Sequence, residues 1–261
     1  MSKFPNSIRE INSLPDAEKW SIYETIVPPH ILEDFEIDTN PERDHPQMRY
    51  MCPKGSRAME VSVRKSATDR DPLMYLNMAD TFNNQILVLL VVVNDPDAER
   101  FNVDIDGHGN PTNYGTSSRN IPAELAAMEA GLAPGQIRQG LRAFRRSVPV
   151  FETFIENMGH DMFMIEPLAY HNAIVFERYG FNYVRGLKDM KMIHQGFLPD
   201  GEYRQRLTDE NPFRKTSYWN RILGRSWAIH DGILGHPFTG FQMYKRISHD
   251  AGIESFPDAT W

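Results

Sequence analysis

The sequence predicts an α/β fold, α+β in arrangement: a mixed, largely antiparallel sheet flanked by helices. Three stretches carry that prediction. Met59 to Arg64 alternates apolar and polar residues, as a strand with one buried face does. Gln85 to Val93 is apolar on both faces and rich in β-branched side chains, the mark of a central strand covered on both sides. Ile137, Leu141, Phe144, Val148, Phe151, Ile155 and Met158 recur at helical spacing as one apolar stripe.

Taken in order, the chain opens with a helix signal. Ser13-Leu14-Pro15-Asp16 has the form of a helix start, and the helix should run past Trp20, Tyr23 and Ile26 to stop at Pro28-Pro29. The polar, proline-bearing stretch from Asp38 to Pro53 reads as a surface connection. Residues 1–57 are therefore expected to form a helical arm and connection, and residues 58–261 a single α/β domain. After the central strand, Asn94 to Asp97 turns the chain, and Phe101, Val103 and Ile105 alternate again, which predicts an antiparallel hairpin. The long irregular segment from Asp104 to Asn120 mixes Asp, His, Asn, Gly and Tyr, a composition suited to a folded binding loop.

Helices then dominate. Asn120 caps one, with Pro122 in its first turn, and Gly131 closes it. Pro134 opens the next, which Pro149 should kink or divide and Gly159 should end. Met162 to Ile165 reads as a short buried strand, His171 to Tyr179 as a helix capped by Gly180, and Phe181 to Val184 as a strand. Ser226 to His230 and Phe241 to Tyr244 look like later strands. This alternation means a sheet with helices packed on it.

Composition narrows the function. Across 261 residues, 41% are hydrophobic and 11% aromatic, enough for a sizeable core. A net charge of −7 argues against nucleic acid as a partner, and the basic run from Arg138 to Arg146 reads as a solvated helix face. Cys52 is the single cysteine, so neither an intramolecular disulfide nor a cysteine metal cluster is expected. The first residues lack the apolar core of a signal peptide, and Ile86 to Val93 is too short to span a bilayer. A cytoplasmic location without membrane contact is the expectation, with a homo-oligomer left open. No Gly-x-Gly-x-x-Gly or Walker loop appears, which argues against nicotinamide and nucleoside-triphosphate enzymes.

The stretch Met164-Ile165-Glu166-Pro167-Leu168-Ala169-Tyr170-His171-Asn172-Ala173-Ile174-Val175-Phe176-Glu177-Arg178-Tyr179-Gly180-Phe181 resembles the back half of the GCN5-related N-acetyltransferase fold. There, a strand ending in an acidic residue leads to an Asn/Ala-bearing helix that closes on an aromatic-Glu-x-aromatic-Gly-Phe signature. The resemblance implies a core over about residues 58–185 with a C-terminal elaboration. It also implies acetyl-CoA or another acyl-CoA as cosubstrate and a small amine as acceptor. By the same likeness Glu166 would orient or deprotonate the amine. Tyr179 and His171 would be further catalytic candidates, and Gly131, Gly135, Gln136, Gly140 and Asn172 would bind the cofactor. A helix N-terminus after a Gly-rich turn suits a pyrophosphate. The chain departs from the family pattern in three places, one being a Glu166-to-Gly180 linker shorter than the family's. Its Gln136-to-Ala143 loop is offset by a residue, and Phe176 stands where the family's general-acid tyrosine lies.

An alternative reading gathers histidines and carboxylates. If Ser226 to His230 is a strand parallel to Met162–Ile165, then Glu166, His171, His230 and Asp231 converge beyond the strand ends, as divalent-metal ligands or a base oriented by a carboxylate. A third class is a non-catalytic scaffold with an aromatic pocket drawn from Tyr114, Tyr170, Tyr179, Trp219 and Trp227.

Overall fold

The computed structural model describes residues 3–39, 47–112 and 117–261. Tyr114 and part of the long loop lie outside these residues. The described residues form a mixed sheet of seven strands in the order β1-β2-β3-β4-β5-β7-β6. The strands are β1 (Met48–Met51), β2 (Ala58–Val63), β3 (Met74–Asp80), β4 (Ile86–Val93), β5 (Met162–Ile165), β6 (Asn182–Arg185) and β7 (Gln242–Arg246). No helix among the described residues is long and apolar enough to cross a membrane. By its contacts the chain divides into two compact units, each assembled from separated segments.

The first unit comprises residues 1–97, 140–166 and 244–249. Strands β1 to β4 form an antiparallel meander in it, and β4 pairs parallel with β5. β2 buries Met59, Val61 and Val63 on one face, as its alternation predicts. Strand β1 lies inside the stretch expected to be a surface connection. It pairs with β2 and stacks Tyr50 on Trp20, with ring centroids 6.4 Å apart. The expected hairpin between β4 and residues 101–105 does not form. The antiparallel partner of β4 is β3, and Phe101 to Ile105 makes only an isolated bridge, from Ile105 to Pro111.

Near the amino terminus, α1 (Ile8–Ile11) is capped by the Ser7 hydroxyl, and the carboxylate of Asp80 accepts the amides of Ile8 and Arg9. α2 (Asp16–Glu24) starts after Pro15 rather than on a Ser13 cap. The Ser13 hydroxyl instead donates back to the Arg9 carbonyl, a competing local bond typical of serine. α3 (Pro29–Asp34) follows.

The second unit comprises residues 98–139, 167–243 and 250–261. It contains α4 (Ile121–Glu129), capped by the Asn120 side chain as predicted. The long helix expected from Pro134 begins only at Phe144, as α5 (Phe144–Asn157) of the first unit, and runs through Pro149 undivided. Two features delay it. Arg142 has a left-handed backbone at φ 53°, which interrupts a right-handed helix. Ile137 meanwhile accepts a hydrogen bond from the Phe101 amide and packs against Val103, Ala127 and Leu132, so it serves a different core from the α5 stripe.

α6 (Tyr170–Arg178) ends at Gly180, whose φ of 77° is the left-handed cap expected there. α7 (Leu187–Phe197) and α8 (Glu202–Gln205) follow, then α9 (Ile222–His230). Ser226 to His230 is thus helix, not strand. Ile222 and Gly224 to Ile229 are all buried, so α9 is covered on every face and shows no helical period for a sequence reading to detect. Gly224 permits the approach of Tyr218, whose Cβ lies 2.6 Å from where an added side chain would begin. Trp227 anchors the helix by donating from Nε1 to the Leu132 carbonyl at 2.9 Å.

Candidate functional site

The first unit has an interrupted strand pair at its centre. β4 and β5 are paired only at Leu87–Met164 and Val88–Ile165. The chain leaves β5 at Glu166, and the next residue, Pro167, has no N–H with which to extend a ladder. β4 runs on for five more residues, Leu89 to Val93, and among the described strands only β3 lies beside them. Register with β3 also slips there, Leu90 facing Asn77 and Val88 facing Met78, so Leu89 is an extra residue. A central apolar strand should be covered on both sides. Here Leu89 is 39% exposed and Leu90 to Val93 are only half-buried.

Two further features border this edge within the same unit. Gly140 passes so close that an added Cβ would lie 3.0 Å from the Val93 carbonyl oxygen, which excludes larger residues unless the backbone moves. α5 starts four residues later, its N-cap Ala143 offering no side chain to the first amides. Glu166 is half-buried and directly follows the last paired residue of β5. The arrangement offers a run of half-buried apolar residues on a strand that β5 leaves unpaired, a helix N-terminus with Arg142, Arg145 and Arg146 near one end, and a carboxylate after the strand that stops short. Such a strand edge takes an extended ligand by main-chain hydrogen bonds, and a helix N-terminus suits anions.

Of the residues expected to bind a cofactor, Gly140 belongs to this unit. Gly131, Gly135, Gln136 and Asn172 belong to the second. The Gln136 side chain accepts the Ala133 amide at 2.8 Å and closes a turn in which Gly135 has φ 81°. Since no helix starts at Pro134, this turn is not the helix N-terminus expected there. Asn172 lies half-buried in the first turn of α6, and Tyr179 half-buried at its C-cap.

His171, His230 and Asp231 sit in the second unit, with partners of their own. His171 is buried, with Nδ1 2.9 Å from the Ser226 hydroxyl. Burial, helped by repulsion from His230, pushes its pKa down to about 4. His230 Nε2 lies 3.2 Å from the Glu124 carboxylate, which also accepts two bonds from Arg119. Arg119 bridges to Asp231 at 2.7 Å, where Arg214 at 2.6 Å and Asn211 at 3.0 Å also donate. Burial opposes charge on Glu124 and Asp231, but the donated hydrogen bonds outweigh it and hold both carboxyls below their usual range. The Arg119 guanidinium also lies over the Phe213 ring, 4.8 Å from its centroid. Among the described residues no group of three or more His, Cys, Asp or Glu side chains is arranged to hold a metal ion. The premise of two parallel strand ends is also gone, because Asp231 caps α9.

Two clusters have no counterpart in the sequence reading. Glu177, the acidic residue of the aromatic-Glu-x-aromatic signature, is buried. It accepts the Tyr183 hydroxyl and the Ser255 amide, and burial raises its pKa despite those bonds. Arg225 is fully buried between Phe197 and Phe256, with Nε donating to the Trp219 carbonyl at 2.6 Å. In comparisons with known proteins, no family model, no curated protein and no solved structure matches the chain.

Proposed function

We propose that the chain is an acyl-CoA-dependent N-acyltransferase acting on a small amine in the cytoplasm, with the cosubstrate lying along the open edge of β4. The reading rests on one observation: β4 continues for five apolar, half-exposed residues after β5 has left it. An extended chain carrying amides, such as the pantetheine arm of CoA, matches such an edge in shape and hydrogen bonding. The phosphate end would lie at the start of α5, next to Gly140 and the arginines.

In the reaction the amine nitrogen attacks the thioester carbonyl carbon. The new C–N bond replaces the C–S bond, and the sulfur departs as CoA thiolate and takes up a proton from solvent. Glu166 would accept the proton lost by the attacking amine, directly or through one water, a role worth about 100-fold or more in rate. The resemblance of residues 164–181 to the acetyltransferase signature supports the same reading independently of the strand edge.

Thermal unfolding with CoA and acetyl-CoA tests it. At about 100 times Kd a ligand specific for the native state stabilises it by about 2.7 kcal/mol. For a chain of this size that is an upward Tm shift of about 5–10 °C. An unchanged Tm with either compound would sink the reading before any amine is screened.

A further inference from the structure

α7 separates its residues by face. Met190, Ile193 and Phe197 are buried, while Lys188, Lys191, Met192 and Gln195 are exposed on the opposite face at helical spacing. With Leu187 and Tyr203, this outer face lines an open cleft of about 600 Å³ between α7 and α8, a size that suits small organic ligands. Gly196 makes the wall possible. An added Cβ there would lie 2.3 Å from the Tyr203 ring, so only glycine lets that ring lie on the helix.

The charges in the cleft do not cancel. Its one carboxylate, Glu202, is paired with Arg206. Neither Lys188 nor Lys191 has an ion pair or hydrogen bond among the described residues. One aromatic layer deeper is another positive charge without a carboxylate. Arg225 lies 4.9 Å from the Phe197 ring, and that ring is 5.6 Å from Tyr203. Its side-chain partners are neutral: Tyr170, and His194, whose pKa burial and Arg225 itself lower. One of its terminal nitrogens is buried with no partner at all. Desolvation lowers the Arg225 pKa, as expected of a buried cation lacking a counter-ion. Positive potential therefore gathers at one apolar-walled cleft in a chain whose net charge is −7.

We propose that the α7–α8 cleft is a second binding site, for a small organic anion with an apolar or aromatic body, a carboxylate, sulfonate or phosphate on a hydrophobic frame. The anionic group sits between Lys188 and Lys191, and the body lies against Met192, Leu187 and Tyr203. The site is independent of the β4 edge and of the acyltransferase reading.

Fluorescence titration of the full chain with 8-anilinonaphthalene-1-sulfonate tests it, the uncharged N-phenyl-1-naphthylamine serving as control. The sulfonate should bind saturably and weaken as salt rises. The paired variant Lys188→Gln/Lys191→Gln should lose about tenfold in affinity with an unchanged melting curve, since both side chains are exposed. The uncharged dye should bind wild type and variant alike. Gly196→Ala, which pushes Tyr203 off the helix, should weaken both dyes. Equal sulfonate affinity in wild type and the paired variant would overturn the proposal, as would displacement of the sulfonate by CoA, which would move the dye to the β4 edge.

Discussion

The open edge of β4 and the Arg119–Glu124–His230–Asp231 network are opposites in how their polar groups are satisfied. In the network each carboxylate accepts from two or three donors, and the charges of two arginines and two acids balance. Such a closed network fixes α4 and α9 in place and leaves little for a ligand to do. At β4 the side chains are apolar and the polar groups belong to the main chain, with no strand among the described residues beside them on the β5 side past Val88. Titratable residues draw attention in a sequence, but the stretch of β4 that β5 leaves unpaired, Leu89 to Val93, carries none.

The sharpest way to break this comparison is Glu124→Ala. Removing one member of a buried charge network costs about 4 kcal/mol, and urea denaturation should show that loss while CoA affinity stays as in wild type. Lost turnover at full stability would instead make the network the site.

His171 offers the next largest effect. Its folded pKa of about 4 lies below the ordinary histidine value, so the unfolded chain binds the proton first. Its contribution is therefore fully present above about pH 6.5 and is lost as pH falls towards 4, by about 3 kcal/mol. Denaturation of wild type and His171→Gln across that range should differ by this slope, and parallel curves would refute the buried neutral imidazole.

Glu166→Gln should lower kcat/KM about 100-fold, equivalent to about 2.7 kcal/mol, with Tm unchanged. Full activity would remove Glu166 from the chemistry. The smallest effect is expected from Leu89→Ala. Stability should move by less than about 0.5 kcal/mol because the side chain is partly exposed, while the Kd for acetyl-CoA should rise about threefold. Unaltered affinity would argue that the ligand does not lie along β4.

The sheet was legible where side chains alternate or where a run is apolar throughout, as at Met59–Val63 and Ile86–Val93. β3 alternates just as regularly, burying Met74, Leu76 and Met78. Its Met and Asn residues have little strand preference of their own, and it emerges only with the structure. α9 misled for a physical reason: a helix buried all round and a buried strand share one hydrophobic pattern. The β4 edge itself was half legible. The sequence marks a central strand, but nothing local says that its neighbour will stop after four residues, since that depends on pairing across 77 positions of chain, Leu87 with Met164. Arg225 gave no signal, because a lone arginine between Gly224 and Ser226 does not announce burial.

The uncovered stretch of β4 also bears on how the protein keeps apart from its own kind. Ile86 to Val93 has no charge, no proline and no glycine, the composition of segments that stack into intermolecular sheets. From Leu89 to Val93 no described strand pairs with it on the β5 side, the situation of an edge strand. A ligand lying along that edge, as proposed, would also shield it, so preparations without CoA should precipitate before preparations with it.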